Sequence, residues 1–398
     1  MTPESSSHTR LWVAVVASLF VSNGMAIGVW GGSLAMFRSR LGIGDSEIGL
    51  MLAAAGVFAV ASMQASGRLS DRFGALKPAL VGAGVLVAGL LLAAFAPTFA
   101  VLLAAGVVVG AGNGVMDIGM NALGVAVEKS ARRPIMSRFH AMFSVGSFLG
   151  AGGVTLLGVF GLDERSVGWL PLVAVAAALV AINAAVALRA PHEAMGRSER
   201  AAAGRTKERI PTVAWLLGVM ALGFGLTEGT AGDWSSIHVT DVVGVSSAQG
   251  AIGLTAVSLT MLAVRFAGDH LVGRFGRTRV VQLGSVAALA GYLGTFTLTD
   301  MVPVVISWAV VGAGVALLAP QVYALAGYLG GGRVMAIVTA FGYTAYLTGP
   351  AIIGFVSRAV GIQHAMVVPM ISAVVVLVLA FAGALRAAER AGGLTADE

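Results

Sequence analysis

The chain has 398 residues, of which 57% are hydrophobic and only 11% are charged, and its mean hydropathy is +0.89. Soluble globular domains carry about 25% charged residues, so this composition excludes a soluble protein. A membrane-spanning helix needs about 20 apolar residues, and the chain lacks the short alternating segments of a membrane β-barrel. We therefore predict an all-α, polytopic membrane protein.

Several functional classes lack support in the sequence. The net charge is +6 and the pI is 10.2, but the basic residues follow the predicted membrane topology, so we expect no nucleic-acid partner. The absence of cysteine excludes disulfides, thiolate metal sites and cysteine nucleophiles. No phosphate-binding loop, H-E-x-x-H or G-x-S-x-G motif is present. We expect no enzyme activity, no cofactor and no metal.

Apolar runs between charged or Pro/Gly-rich breaks predict twelve transmembrane helices in two six-helix pseudo-repeats. The first six cover 11–37, 46–66, 78–95, 98–127, 139–161 and 167–190, and the last six cover 212–238, 246–265, 279–298, 301–328, 334–357 and 363–386. The polar start precedes an apolar run too long for a signal peptide, so we expect the first helix to remain uncleaved. The predicted units are an N-terminal bundle (1–190), a cytoplasmic linker (191–211) and a C-terminal bundle (212–398).

The basic residues predict the orientation of these helices. If the N-terminus is cytoplasmic, 21 of the 25 Lys and Arg residues lie in cytoplasmic segments. The four on the outside are Arg38, Arg40, Arg165 and Arg358. The positive-inside rule therefore predicts that both termini are cytoplasmic.

An internal repeat relates the two halves. Residues 72–74 (Arg-Phe-Gly) recur at 274–276, an offset of 202 positions, and residues 109–112 (Val-Gly-Ala-Gly) recur at 311–314 with the same offset. Two matches in different helices at one offset indicate a duplicated six-helix unit. Repeats of this kind are typical of transporters that bind their solute between the halves, near the membrane midplane.

The loop after the second predicted helix contains a recognisable signature. Its pattern G-x-L-x-D-R-x-G-x-x-K resembles that of the major facilitator superfamily, and a degraded copy follows the eighth helix. The residues that carry the two copies are Gly67, Asp71, Arg72, Gly74 and Lys77, then Asp269, Arg274 and Gly276. The resemblance implies a cytoplasmic gate in which Asp71 meets a helix N-terminus and Arg72 a nearby acid. A basic loop that only obeys the topology is the alternative.

Shorter segments narrow the resemblance within this superfamily. Residues 139–146 and 228–236 are similar to the YbjJ-type group of bacterial inner-membrane facilitators, which neighbours the L-fucose–proton symporters. The element 117–121 (Asp-x-x-x-Asn) resembles the acidic element at which that clan is thought to bind sugar and a proton. Fucose permeases carry a second acid in the first helix, where this chain has Asn23. The resemblance implies a bacterial inner-membrane protein and a sugar-like solute, but not the two-carboxylate scheme.

Asp117 is the most informative acid in the predicted helices. Asn113, Asp117 and Asn121 are spaced i, i+4, i+8 and therefore share one helix face. A carboxylate inside a bilayer must be protonated, hydrated or paired. We predict that Asp117 binds a proton and that Asn113 and Asn121 bind the solute. A buried acid bonded to a neighbouring helix is the alternative.

Helix seven carries two further acids, Glu228 and Asp233. Five residues correspond to about 140° around a helix, so the two side chains face different directions. We predict either proton coupling and solute binding or a structural pair for Glu228, and a solvated or salt-bridged helix-end position for Asp233. No basic residue lies in the middle of a predicted helix to match these acids, which predicts that one or more is protonated or hydrated.

Other polar and aromatic side chains are candidates for solute binding. His140 and Ser144 begin a polar stripe on helix five, where His140 either relays protons or lies among the headgroups. Trp30 and Trp234 occupy matching places in the two halves and either cap the cavity or belong to interfacial belts. The remaining candidates are Asn23, Gln321, Tyr323, Tyr343 and Tyr346.

Taken together, these residues predict a secondary active transporter that moves a small polar solute with protons by alternating access, as a monomer in the bilayer. The resemblance implies that this solute is sugar-like. The first alternative is a proton-coupled efflux antiporter of lipophilic compounds. Such antiporters usually carry G-x-x-x-G-P in helix five, where this chain has Gly146, Gly150 and then Ala151. A non-transporting membrane sensor is the second alternative, and it predicts tolerance of Asp117→Asn.

Overall fold

A computed structural model of the chain describes residues 3–131, 135–162, 164–190 and 210–391. Within these residues the regular secondary structure is entirely helical. The helices are α1 (Pro3–Gly32), α2 (Leu34–Leu41), α3 (Asp45–Phe73), α4 (Leu76–Ala94), α5 (Phe99–Ala131), α6 (Met136–Val159), α7 (Glu164–Val167), α8 (Leu170–Arg189), α9 (Thr212–Val243), α10 (Ser247–Gly250), α11 (Ile252–Phe275), α12 (Arg277–Thr297), α13 (Met301–Val315), α14 (Leu318–Val360), α15 (Ile362–Ala365), α16 (Val367–Phe381) and α17 (Ala384–Ala391).

Twelve segments of the described residues are long and apolar enough to cross a membrane, which confirms the predicted number. Helices α1, α3, α4, α5, α6, α8, α9 and α12 each provide one span. The eighth span joins α10 to α11, and the twelfth joins α15 to α16. The tenth and eleventh spans, Met301–Leu329 and Ile337–Val360, share α14. The chain is a twelve-span helical membrane protein.

Several helices extend beyond their predicted ends. The eighth helix was predicted to end at Arg265, but α11 continues to Phe275. The backbone also stays helical between the tenth and eleventh spans, throughout α14, although these spans end and begin near the predicted positions. A charge such as Arg265 predicts the end of a membrane helix, whereas a paired charge is compatible with a helix inside the membrane. Most of the predicted linker, 191–209, lies outside the described residues.

The repeated sequences make equivalent packing contacts. A Cβ atom added to Gly110 of α5 would overlap the carbonyl group of Ala55 in α3, and one added to Gly312 of α13 would lie 2.5 Å from the carbonyl oxygen of Val257 in α11. Gly110 and Gly312 are 202 positions apart, and so are their contact residues Ala55 and Val257. Small residues allow this close backbone approach in membrane bundles. The repeat therefore preserves the contacts that hold neighbouring helices together.

The two halves meet mainly near one end of the bundle, which we call the α2 end; the opposite end, where α1 begins and α17 ends, is the terminal end. Helix α6 contacts α11 through paired hydroxyl groups, with Oγ of Ser147 3.0 Å from Oγ of Ser258 and Oγ1 of Thr155 3.0 Å from Oγ1 of Thr255. Close to Thr155, α6 also packs against α10. These contacts hold the halves together at the α2 end.

We expect Gly112→Ala to destabilise the fold, because the new Cβ would lie 2.7 Å from the backbone nitrogen of Leu86. Overpacking of this kind typically costs about 1–3 kcal/mol. Thermal unfolding in detergent, followed by tryptophan fluorescence, should show a lower midpoint. Gly84→Ala on the neighbouring helix is the control, since nothing lies within 4 Å of its added Cβ. Equal midpoints for the two variants would contradict the packing account.

Candidate functional site: a cavity between the two halves

A cavity of about 420 Å³ lies between α1, α3, α5 and α6 of the first half and α9, α11 and α14 of the second. This volume is within the range of small-molecule sites. Many of the lining residues are apolar, but eleven polar or charged side chains also line the cavity: Asn23, Asn113, Asp117, Ser144, Ser147, Glu228, Asp233, Ser258, Arg265, Tyr343 and Tyr346. The cavity is a polar pocket within an apolar bundle.

Two asparagines connect α1 to α5 at the cavity wall. Nδ2 of Asn23 donates a hydrogen bond to Oδ1 of Asn113, and the two atoms are 2.9 Å apart. Asn23 is almost fully buried, whereas Asn113 is only partly buried. Asn23 therefore orients the amide of Asn113, the more exposed member of the pair.

Asp117 lies on the same helix, one turn beyond Asn113. Nδ2 of Asn121 donates to Oδ1 of Asp117 at 3.0 Å and to its backbone oxygen at 2.8 Å. Asn121 is not among the residues that line the cavity, so it positions the carboxylate instead of facing a solute. Among the described residues, Asp117 has no ion-pair partner. A carboxyl group without a counter-charge thus faces the cavity from the first half.

The second half contributes a buried ion pair. Nη2 of Arg265 is 3.0 Å from Oε1 of Glu228, and the two side chains are 13% and 20% exposed. Arg265 also donates through Nη1 to Oγ of Ser144 at 2.9 Å and through Nε to the carbonyl of Ala316 at 3.2 Å. These bonds join α6, α9 and α11. The prediction that no basic side chain lies within a span is therefore wrong.

Asp233 also faces the cavity. Its carboxylate makes no hydrogen bond or ion pair with any described residue. The helix-end position predicted for Asp233 is wrong, because α9 continues to Val243. The acid near that end is Asp241, about 12 Å farther along the helix.

The aromatic candidates divide into two groups. Trp30, Tyr343 and Tyr346 line the cavity, and Tyr346 is 41% exposed. Trp234 is fully buried, and neither Trp234 nor Tyr323 is among the lining residues. Tyr323 is partly buried and packs edge-on against Phe224, with ring centroids 5.4 Å apart. The belt interpretation of Trp234 is therefore wrong.

Two polar candidates also lie away from the cavity wall. The ring of His140 packs edge-on against Phe20, with centroids 5.3 Å apart, and its side chain is not among those lining the cavity. Gln321 is buried, and its Oε1 has no hydrogen-bond partner among the described residues. Helical spacing predicts which residues lie on the same face of a helix, but it does not predict whether that face lines the cavity or packs against a neighbouring helix.

A charged cluster joins the halves at the α2 end. Arg38 of α2 forms ion pairs with Asp45 at 2.6 Å and with Asp241 of the second half, and Asp45 accepts a hydrogen bond from Ser357. Burial lowers the pKa of Arg38, but the hydrogen bond and charge of Asp241, followed by those of Asp45, outweigh it and raise the pKa. The sequence does not reveal this cluster, because its members are up to 312 positions apart.

The signature residues lie at the terminal end. Gly74 and Gly276 end α3 and α11 with φ of +79° and +77°, conformations that favour glycine. Arg72 and Arg274 each lie over the ring of the following phenylalanine, at 5.1 and 5.6 Å. Neither arginine forms an ion pair with a described residue.

Other signature residues are exposed or have no close neighbour. Lys77 and Asp269 are exposed, and an added Cβ at Gly67 would meet no atom within 4 Å. The side chain of Asp71 lies outside the described residues. In this structure the described signature side chains form no ion pairs that close the terminal end.

A twelve-span bundle with a polar cavity between its halves defines a membrane transporter, and comparison with known proteins identifies the family. Residues 16–326 match the model of the Major Facilitator Superfamily, and the chain belongs to this superfamily. It is 30% identical over 370 residues to an uncharacterized transporter of Sinorhizobium fredii, covering 92% of this chain and 96% of that protein. It is 29% identical over 376 residues to an uncharacterized MFS-type transporter of Yersinia pestis, covering 93% and 94%.

Solved structures share the fold at low sequence identity. A mutant of the nucleoside transporter NupG matches with a TM-score of 0.73 and 17% identity, over 95% of this chain and 99% of that one. A bacterial homolog of the lysosomal transporter Spinster, inward-facing and unoccupied, gives 0.71 and 14%, over 98% and 99%. The Escherichia coli fucose–proton symporter FucP gives 0.62 and 18%, over 92% and 97%. These matches confirm the predicted superfamily fold.

We expect Arg265→Met to destabilise the protein strongly, because it removes the ion-pair partner of Glu228 inside the bundle. Breaking a buried pair typically costs on the order of 3 kcal/mol. The double variant Arg265→Met/Glu228→Gln removes both charges and should regain most of the loss in thermal-unfolding experiments. A double variant as unstable as the single one would show that the ion pair is not the cause.

Proposed function

We propose that this protein is a proton-coupled symporter that takes up a small polar, sugar-like solute by alternating access. The observation that carries the proposal is the cavity between the halves, where amide, hydroxyl, phenol and carboxyl groups face the same space. Sugar hydroxyls both donate and accept hydrogen bonds, and these side chains offer partners of both kinds. Trp30 and Tyr346 add flat apolar surfaces for a sugar ring.

Asp117 is the proposed proton carrier. It faces the cavity and has an oriented amide neighbour but no described counter-charge. A neutral carboxyl group is far less costly in a membrane interior than a charged one, so a proton favours the loaded state. The solute would bind beside Asp117 through Asn113 and Tyr343, and its binding would favour protonation in turn.

The Arg265–Glu228 pair has a different role in this proposal. Glu228 is engaged by Arg265, so its side chain is not free to act alone while the pair is intact. The guanidinium also reaches Ser144 on the opposite half. We propose that the solute competes for these donors, so that Glu228 contributes to coupling by exchanging its partner.

The conformational cycle follows from the two ends of the bundle. With both termini in the cytoplasm of a bacterial inner membrane, the α2 end faces outward, and the Arg38 cluster closes that face in this structure. The signature side chains, from Gly67 to Lys77 and from Asp269 to Gly276, would close the inner face in the alternate state. We propose that the 1–190 and 212–398 bundles rock about the cavity, joined by the 191–211 linker.

The proposal is tested by a thermal-unfolding screen of the purified protein with monosaccharides, sugar acids, amino acids and lipophilic cations at pH 5.5 and 7.5. We expect a sugar-like compound to raise the unfolding midpoint more at pH 5.5, because a ligand that binds the folded state stabilises it. In proteoliposomes, Asp117→Asn should abolish proton-driven accumulation of that compound while retaining exchange.

Asp241→Asn serves as the control for the loss of one acid. It changes an acid of the α2 end and should retain proton-driven accumulation at an altered rate. Uphill transport by Asp117→Asn would overturn the assignment of the proton to this residue. Stabilisation by lipophilic cations alone would favour efflux instead of uptake.

A further inference from the structure

Asp233 is the charged group of the cavity that the proposed function leaves unused. We propose that Asp233 is a second proton-binding site, carried by the second half, so that each transport cycle moves one proton on Asp117 and one on Asp233. This inference rests on the proposed symport and adds its stoichiometry. It also makes the two halves alike in carrying one exchangeable proton each.

The charges around Asp233 provide the first argument. The cavity is lined by three acids, Asp117, Glu228 and Asp233, and by one base, Arg265. Arg265 is already engaged by Glu228, Ser144 and a backbone carbonyl. Two carboxyl groups are therefore left without a compensating charge. Bringing both as carboxylates into a closed cavity is unfavourable in lipid, and two protons remove the imbalance.

Among the described residues that line the cavity with Asp233, Arg265 is the only basic side chain. Helix α14 contributes the phenols of Tyr343 and Tyr346, and the lining residues of α1, α3 and α6 are uncharged. At the α2 end, Arg38 is committed to Asp45 and Asp241. Toward the terminal end, the phenol of Tyr292 on α12 donates a hydrogen bond to the backbone oxygen of Thr227 on α9. A proton is the compensating positive charge that this environment lacks.

A side pocket next to Asp233 provides the second argument. The pocket has a volume of about 10 Å³ and is lined by Asp233, Trp234 and Tyr346, among others. That volume is about the size needed for one water molecule. Trp234 is fully buried, and its indole N–H has no partner among the described residues. A water molecule in the pocket would accept from Trp234 and donate to Asp233.

Asp233 lines both the main cavity and the side pocket. With water in both spaces, its carboxylate would contact water on two sides. Protonation forms an O–H bond on the carboxylate and breaks one in a hydronium ion of the cavity, leaving water. After the halves rock, the reverse transfer returns the proton to water on the other side. The step needs no further reactant.

Infrared difference spectroscopy of the purified protein between pH 8 and pH 6 tests the inference without a solute. Exposed Asp and Glu residues, with ordinary pKa values near 4, stay ionised over this range. We expect two carbonyl-stretch bands of protonated carboxyl groups, both shifted in heavy water. Asp233→Asn should remove one band and Asp117→Asn the other.

Asp241→Asn is the matched control, because it makes the same substitution on the same helix in a residue paired with Arg38, and it should remove neither band. Asp233→Glu, which retains a titratable group, should keep two bands and move one, so the test remains valid if Asp233→Asn fails to fold. A spectrum with one band, lost only in Asp117→Asn, would overturn this inference and leave the proposed symport intact. A spectrum with no band would overturn both.

Discussion

The need to compensate charge in a medium that cannot hydrate it governs this structure. Arg265 lies within a membrane span because Glu228, Ser144 and a backbone carbonyl meet three of its nitrogen atoms. The same requirement leaves Asp117 and Asp233 as groups that must take up a proton or meet water whenever the cavity closes. The charges that stabilise the bundle and those proposed to drive transport are therefore distinguished by whether each has a partner.

The packing of the bundle separates rigid parts from parts that move. Within each half, glycines such as Gly112 and Gly312 bring backbones into direct contact, and such contacts resist deformation. Between the halves, hydroxyl pairs and the Arg38 ion pairs can exchange with water at low cost, and at the α2 end Gly49 of α3 also packs closely against the backbone of α14. Rocking of intact halves about the cavity requires these contacts between the halves to break, while the contacts within each half persist.

Much of this architecture was predictable from the sequence, for identifiable reasons. Apolar length and the 202-residue repeat predicted twelve spans in two related halves, and helical spacing placed Asn113 and Asp117 on one face. The Arg265–Glu228 pair is not predictable from the sequence, because a charge usually indicates the end of a membrane helix, whereas α11 continues ten residues beyond Arg265. The Arg38 cluster was missed because tertiary contacts between residues about 200 positions apart leave no local pattern. The cavity positions of Asp233 and Tyr346 depend on helix rotation, which spacing alone does not determine.

The central claim is that the Arg38 cluster holds one end of the bundle closed while the other end is free to open. The chain lacks cysteine, so spin labels can be attached through Pro97→Cys with Leu298→Cys at the α2 end, and through Ser130→Cys with Arg279→Cys at the terminal end. Electron-resonance distances in lipid should lengthen at the α2 end and shorten at the terminal end in Arg38→Ala. They should not change in Arg40→Ala, whose guanidinium binds carbonyls of its own half. Unchanged distances in Arg38→Ala, or lengthening at both ends, would contradict the account.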